Sequence, residues 1–166
     1  MAAPTIRAYE PGDREACRGL WAELTQTHRD LYDDPTFGGD EPGLAFDEHL
    51  AHVGADRTWV AEVDSTVVGL AGLLVEDEHA ELEPIVVAAA ARGTGVGRAL
   101  AKAVISAARE LDFPRIRVRP VGRNADAIRF FHALGFDVLG RVDLRLDLEP
   151  IDRKPGERIA GRDFRA

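Results

Sequence analysis

Apolar and polar positions along the chain recur with two periods, near 2 and near 3.6, and the switches between them delimit the elements. Residues 5–10, TIRAYE, alternate as a short strand with Ile6 and Ala8 on one face. PGD then turns the chain, and Asp13 is placed to cap a helix. From Arg14 to Leu31 the residues Ala16, Cys17, Leu20, Trp21, Leu24 and Leu31 recur at helical spacing, which puts Cys17 in a core. The Pro- and Gly-rich segment 32–43 is a loop, and 44–53 predicts a short second helix. Residues 58–63 and 67–76, joined by DST, predict a β-hairpin. EDEH (76–79) is a polar turn before a further strand over 80–88. A helix follows to about Leu111, then a strand over 115–121, RIRVRPV. Residues 124–134 predict a helix stopped by Gly135, and FDVLG and RVDLRLDLE predict two final strands. The order is β-α-α-β-β-β-α-β-α-β-β. It predicts one α/β (α+β) domain over 1–149, built on a mixed, mostly antiparallel central sheet of about seven strands flanked by helices. Residues 150–166 form a polar, basic tail.

One stretch breaks the helical rule. In 85–104, IVVAAAARGTGVGRALAKAV, three glycines stand at alternate positions where a helix begins. Glycine costs a helix about 1 kcal/mol relative to alanine. Its use here is to let main-chain N–H groups approach a ligand, at a helix end whose donors are unpaired and whose dipole is positive. The stretch is therefore an anion site, with Arg92 and Arg98 at its rim. It is not a P-loop, because no Lys-Ser or Lys-Thr follows. It is not the dinucleotide GxGxxG, which would need Gly where Arg98 or Leu100 stands. At least three strands also precede it, whereas a dinucleotide fold places this turn after its first.

The pattern that fits is [Q/R]-x-x-G-x-[G/A], as Arg92-Gly93-Thr94-Gly95-Val96-Gly97. This resembles the cofactor loop of the GNAT superfamily of acyl-CoA-dependent N-acyltransferases. LEPIVVA lies before it at the family's usual distance, and NADAIRFFHALGF resembles the family's N-x-x-A-x-x-F-Y-x-x-x-G-F segment through Asn124, Ala127, Phe130, Phe131, Gly135 and Phe136. The element order also resembles the family fold over nearly all of the chain except the tail. The resemblance implies acetyl-CoA as co-substrate, with no metal. Ile85, Val86 and Val87 would meet its pantetheine arm through main chain. Arg92, Gly93, Thr94, Gly95, Val96, Gly97 and Arg98 would cradle the pyrophosphate, and Asn124 would contact the cofactor from the second segment. Homodimers are frequent in that family.

Charge sharpens this picture. Residues 1–91 carry 5 Lys/Arg against 19 Asp/Glu, whereas 92–129 carry 9 against 3. The acidic half repels nucleic acid and membrane surfaces and attracts cations; the basic segment suits a small polyanion. Between Asp30 and His49 stand seven acidic residues and no Lys or Arg, which points to a cationic amine acceptor, a small molecule or a peptide. A single cysteine, no long apolar run and an N-terminus without signal-peptide features predict a cytoplasmic protein.

Acyl transfer to an amine needs a base, a stabilised oxyanion and a proton for the leaving thiolate. Glu81 and Glu83 are the candidate bases; they share a strand face unless a bulge intervenes, and Glu83 is preferred as nearer the cofactor end. Arg115, Arg117 and Arg119 share a face of the next strand, open to those glutamates, to cofactor phosphate or to an acidic acceptor. The family's usual acid is a tyrosine, and here Phe131 stands in its place. Water, Tyr32 or His132 remain as donors, with His132 read as a surface residue. The alternative is a non-catalytic acyl-CoA-binding or regulatory module; a nucleotide-binding oxidoreductase is the weakest reading. His49 and His52 do not make the zinc-binding H-E-x-x-H pattern.

Overall fold

The computed structural model describes residues 3–76, 79–159 and 161–165. They fall into two compact units, 1–118 and 119–166.

The first unit is built on a five-stranded sheet in the order β1-β2-β3-β4-β5. Strands β1 (Thr5–Ala8), β2 (Thr58–Val63), β3 (Thr66–Glu76) and β4 (His79–Val87) pair antiparallel, and β5 (Ile116–Arg117) joins β4 in parallel. The hairpin between β2 and β3 turns on Asp64 and Ser65, both at positive φ (47° and 61°), as a two-residue turn of primed type requires. The 76–79 turn includes Asp77 and Glu78, which lie outside the described residues.

Helices α1 (Arg14–Tyr32) and α2 (Ala45–Val53) cover one face, and α3 (Val96–Glu110) covers the other. Adjacent residues of β3 separate the two sides. Leu70 joins Tyr9, Cys17, Leu20, Phe46, Val60 and Val86 in the core beneath α1 and α2. Gly69 faces α3, where a Cβ would stand 2.8 Å from Leu100 and 3.1 Å from Val96. That missing side chain lets α3 lie close on the sheet. α3 buries Val96, Leu100, Ala101, Val104 and Ala108, a stripe at helical spacing. Asp13 starts α1 differently from the expected cap. Its carboxylate accepts from the Glu10 N–H (2.8 Å) and from both Arg7 Nη atoms, and Arg7 holds it below the usual carboxylate range.

The second unit holds α4 (Ala125–His132) and a two-stranded hairpin of β6 (Pro155–Ile159) and β7 (Arg162–Arg165). Asn124 caps α4, its Oδ1 accepting from the Ala127 N–H at 3.0 Å. Gly135 (φ 97°) ends the helical segment as its spacing predicts.

Three expectations are corrected. Among the described residues the central sheet has five strands instead of about seven. The strand over 115–121 shrinks to Ile116–Arg117, and FDVLG and RVDLRLDLE form no strand. The last strands instead lie within the tail, at 155–165. Alternation specifies a strand through a face to pack on. In 142–148 that face is exposed, so the pattern alone does not fix one. No helix among the described residues is long and apolar enough to cross a membrane.

Candidate active site

The glycine stretch folds as an open cradle. After β4 a single turn, Ala89–Ala91, leads through extended Arg92 to Gly93 and Gly95, at φ 75° and 94°. A Cβ on either would meet nothing within 4 Å, so glycine is needed for backbone conformation, not for room inside the protein. The Thr94 hydroxyl donates to the Ala91 carbonyl at 2.6 Å and pins the loop. Gly95 is the N-cap of α3, and the first bond of the helix runs from the Ala99 N–H to the Gly95 carbonyl. The N–H groups of Val96, Gly97 and Arg98 therefore precede the helical ladder, at the positive end of a 15-residue helix. The loop from Arg92 to Gly95 is exposed; Val96 turns its side chain into the core. On the other side of the turn, Glu23 of α1 accepts from the Ala89 N–H at 3.0 Å, a brace with no sequence signal.

Strand β4 brings main chain to the same end of the sheet. The Ala88 N–H donates to the Val68 carbonyl, so in this antiparallel ladder the groups of Val86 also face β3 and those of Ile85 and Val87 point away. Among the described residues β5 pairs with β4 at Ala80 and Glu81 and no further. Beyond Glu81, the N–H and carbonyl of Ile85 and the N–H of Val87 lie on the side of β4 away from β3, where β5 makes no pairing among the described residues. Val86 does not share that side, because its main chain pairs with Leu70 and its side chain is core. Arg92 folds back, its Nε donating to the Val87 carbonyl at 3.0 Å.

The two glutamates part company. Leu73 pairs with Leu82 and Ala71 with Ile85, so Glu83 and Pro84 together oppose Gly72 in a bulge. The Glu83–Pro84 peptide is cis, and a Cβ on Gly72 would lie 2.6 Å from the Glu83 carbonyl oxygen. Before the bulge, Glu81 is buried and accepts from Arg117 Nε at 2.7 Å, while Arg117 Nη2 also reaches Glu76 at 2.9 Å. At the bulge, Glu83 is half-buried. A proline inside a strand was the signal for this re-aiming. His49 of α2 lies close to the Glu83 main chain, with its ring 4.8 Å from that of Trp21. Its Nε2 is buried without a hydrogen-bond partner. Burial, then the charge of His52, lowers its pKa to about 4, so the imidazole is neutral near pH 7.

The remaining candidates settle into structural places. Cys17 is fully buried and its thiol is pushed up to about 12 by desolvation, as a core residue should be. Tyr9 is core, and Tyr32 packs with His28 and Phe37 at the end of α1. In the second unit, Phe131 is buried between Phe130 and Phe136, and His132 is exposed. Of the acidic segment, Asp47 is held by Arg14 (2.8 Å) and Arg18, and Asp34 accepts from Thr36.

The sequence profile of the acetyltransferase (GNAT) family matches residues 21–136. The chain belongs to that family. Its GNAT loop, bulged strand and α4 segment all fall inside the match. Solved structures share the fold. Ard1 from Thermoplasma volcanium superposes with a TM-score of 0.66 at 26% identity, over 84% of this chain and 86% of that one. AAC(6′)-Iy, in complex with the bisubstrate analogue CoA-S-monomethyl-acetylneamine, gives 0.63 at 22%, over 88% and 99%. The ribosomal-protein-S18-alanine N-acetyltransferase from Escherichia coli gives 0.63 at 19%, over 83% and 80%. No protein of curated function matches the chain in sequence.

Proposed function

We propose that this GNAT protein moves an acetyl group from acetyl-CoA to a primary amine of a cationic small molecule or peptide, by direct attack in a ternary complex. The observation that carries the reading is the cradle: Gly93 and Gly95 at positive φ lead into the bare N-terminus of α3, beside a strand whose Ile85 main chain and Val87 N–H point away from β3. Phosphate oxygens suit the N–H groups of Val96, Gly97 and Arg98, with Arg92, Gly93, Thr94 and Gly95 shaping the approach. The amide-bearing arm of the co-substrate suits the side of β4 away from β3, as one more hydrogen-bonding partner. Asn124 spends its Oδ1 on capping α4, which leaves its NH₂ as the part that can serve a ligand.

When bound, acetyl-CoA supplies the thioester. The chain's own task is to ready the amine. An amine is protonated near pH 7 and must lose a proton before its nitrogen can attack. Glu83 is the base we assign, because it is half-buried at the bulge and nearer the cradle end of β4 than Glu81, which is buried against Arg117. Phe131 is hydrocarbon and gives no proton; Tyr32 is packed with His28 and Phe37, and of the donors that remain, water is the one we assign to the leaving sulfur. The cationic acceptor rests on the acidic segment from Asp30 to Glu48, and AAC(6′)-Iy, with its acetylneamine-bearing analogue, is a neighbour of this fold.

Steady-state kinetics of Glu83→Gln test the assignment. A general base contributes about 10² to 10⁴ in rate, so kcat should fall by about that factor while CoA affinity is retained. An unchanged kcat would remove Glu83 from the mechanism. Tight CoA binding with no transfer to any amine would establish the binding-module alternative instead.

A further inference from the structure

Two turns begin between β4 and α3, and the chain treats them differently. The first, Ala89–Ala91, has its leading N–H filled from elsewhere in the fold: the Glu23 carboxylate of α1, 66 residues away, accepts from the Ala89 N–H at 3.0 Å. The second is the start of α3, where the N-cap is Gly95 and has no side chain to offer. A carboxylate spent on the first and none on the second marks the first as architecture and the second as the ligand's.

Glu23 acts at the point where the chain leaves the sheet. Leu24 and Ala88, the neighbours of Glu23 and Ala89, both pack against the core beneath α1 and α2. The Ala88 N–H still bonds the Val68 carbonyl of β3, at 2.9 Å. One residue later the partner is Glu23. Beyond it the bonds are local: the Ala91 N–H to the Ala88 carbonyl at 2.8 Å, and the Thr94 hydroxyl to the Ala91 carbonyl. Those bonds fix the shape of the loop, and the bond from α1 fixes where that shape stands on the sheet. The choice of a carboxylate is informative. Ala89 lies four residues before Gly93, so the charge of Glu23 sits near a site for phosphates and disfavours them. What Glu23 contributes there is its hydrogen bond and not its charge.

We propose that Glu23 is a positioning residue of the cofactor cradle: through the Ala89 N–H it sets where the 92–98 loop stands for the phosphates of acyl-CoA. The inference rests on the reading of that loop as the acyl-CoA site. Glu23 acts through the main chain of the loop and not on the ligand itself. The helix that carries it, α1, runs on to Tyr32 and so into the acidic segment that begins at Asp30. One helix thus serves both proposed ligands, the acceptor at its C-terminal end and the co-substrate at Glu23.

Calorimetry with coenzyme A on the full chain tests this, using two variants that separate position from charge. Glu23→Gln keeps an oxygen that accepts from Ala89 and removes the charge; Glu23→Ala removes both. Glu23→Ala should weaken CoA binding by about three- to tenfold, the scale of one lost hydrogen bond. Glu23→Gln should bind as the wild type does or more tightly. Thermal midpoints of both should stay at the wild-type value, since the bond is exposed and holds a single turn. Three results would overturn the proposal: affinity unchanged or raised in Glu23→Ala, an equal loss in Glu23→Gln, or a loss that follows a lowered thermal midpoint. Gly95→Val separates this proposal from the reading beneath it. If the wild type does not bind CoA, or Gly95→Val binds it equally well, the cradle is misassigned and Glu23 falls with it. If Gly95→Val binds weakly and Glu23→Ala does not, only the role of Glu23 falls.

Discussion

At the scale of single residues, two carboxylates two positions apart have different fates, and the backbone decides which. Glu81 points where Arg117 stands on the neighbouring strand; Glu83 begins a bulge that Gly72 makes room for. Replacing Glu81 by Gln removes the charge from a buried, charge-assisted bond. It should cost about 2 kcal/mol of stability, less than a fully buried pair because Arg117 keeps Glu76. Thermal denaturation checks this, and catalysis at saturating substrate should survive in Glu81→Gln but not in Glu83→Gln. His49 gives a pH signature. Its folded pKa is lowered from 6.5 to about 4, so below about pH 6.5 the unfolded chain binds the proton more readily than the folded one. The stability it confers is whole above pH 6.5 and is lost as pH falls toward 4. The urea midpoint should decline across that window, and His49→Phe should flatten that part of the slope. The sequence left the bulge and the Arg117 partner open as alternatives, whereas His49 offered only a failed zinc pattern. Pro84 alone hinted that Glu83 would be re-aimed.

At the scale of elements, an apolar period specifies a helix or strand where one face has a partner and does not where it has none. α1, α3 and the strands β2 to β4 each present apolar residues to a core on a matching period, and each lies within a few residues of its predicted place. Residues 142–148 have as clean an alternation as β2, yet their apolar side faces solvent and no ladder forms. β5 was overextended for a related reason: RIRVRPV alternates to its end, but pairing with β4 stops at Arg117, where β4 turns into its bulge. The cradle was legible because glycines at a helix start contradict helix propensity and so announce another purpose. Gly95→Val forces a β-branched residue to φ 94°. That strain costs at least about 1 to 2 kcal/mol. Calorimetry should show CoA affinity reduced by about tenfold or more, the equivalent of about 1.4 kcal/mol, with the rest of the fold retained.

At the scale of the whole molecule, charge follows the same division as the chemistry. The acidic N-terminal portion and the basic 92–129 segment suit two ligands of opposite sign, a cationic acceptor and a polyanionic co-substrate. The family and its fold were readable because three separated features, the loop, the strand before it and the Asn124–Phe136 segment, are spaced as one fold requires. The acceptor was not, since an acidic segment such as 30–48 specifies a charge and not a shape. The most direct measurement is therefore release of free CoA thiol from acetyl-CoA, with and without polyamines, aminoglycosides and peptide N-termini, with acetylated product followed by mass spectrometry. The account predicts amine-dependent thiol release matched one for one by an N-acetylated product, fastest with the polycations. Thiol release no faster with any amine than without would contradict it.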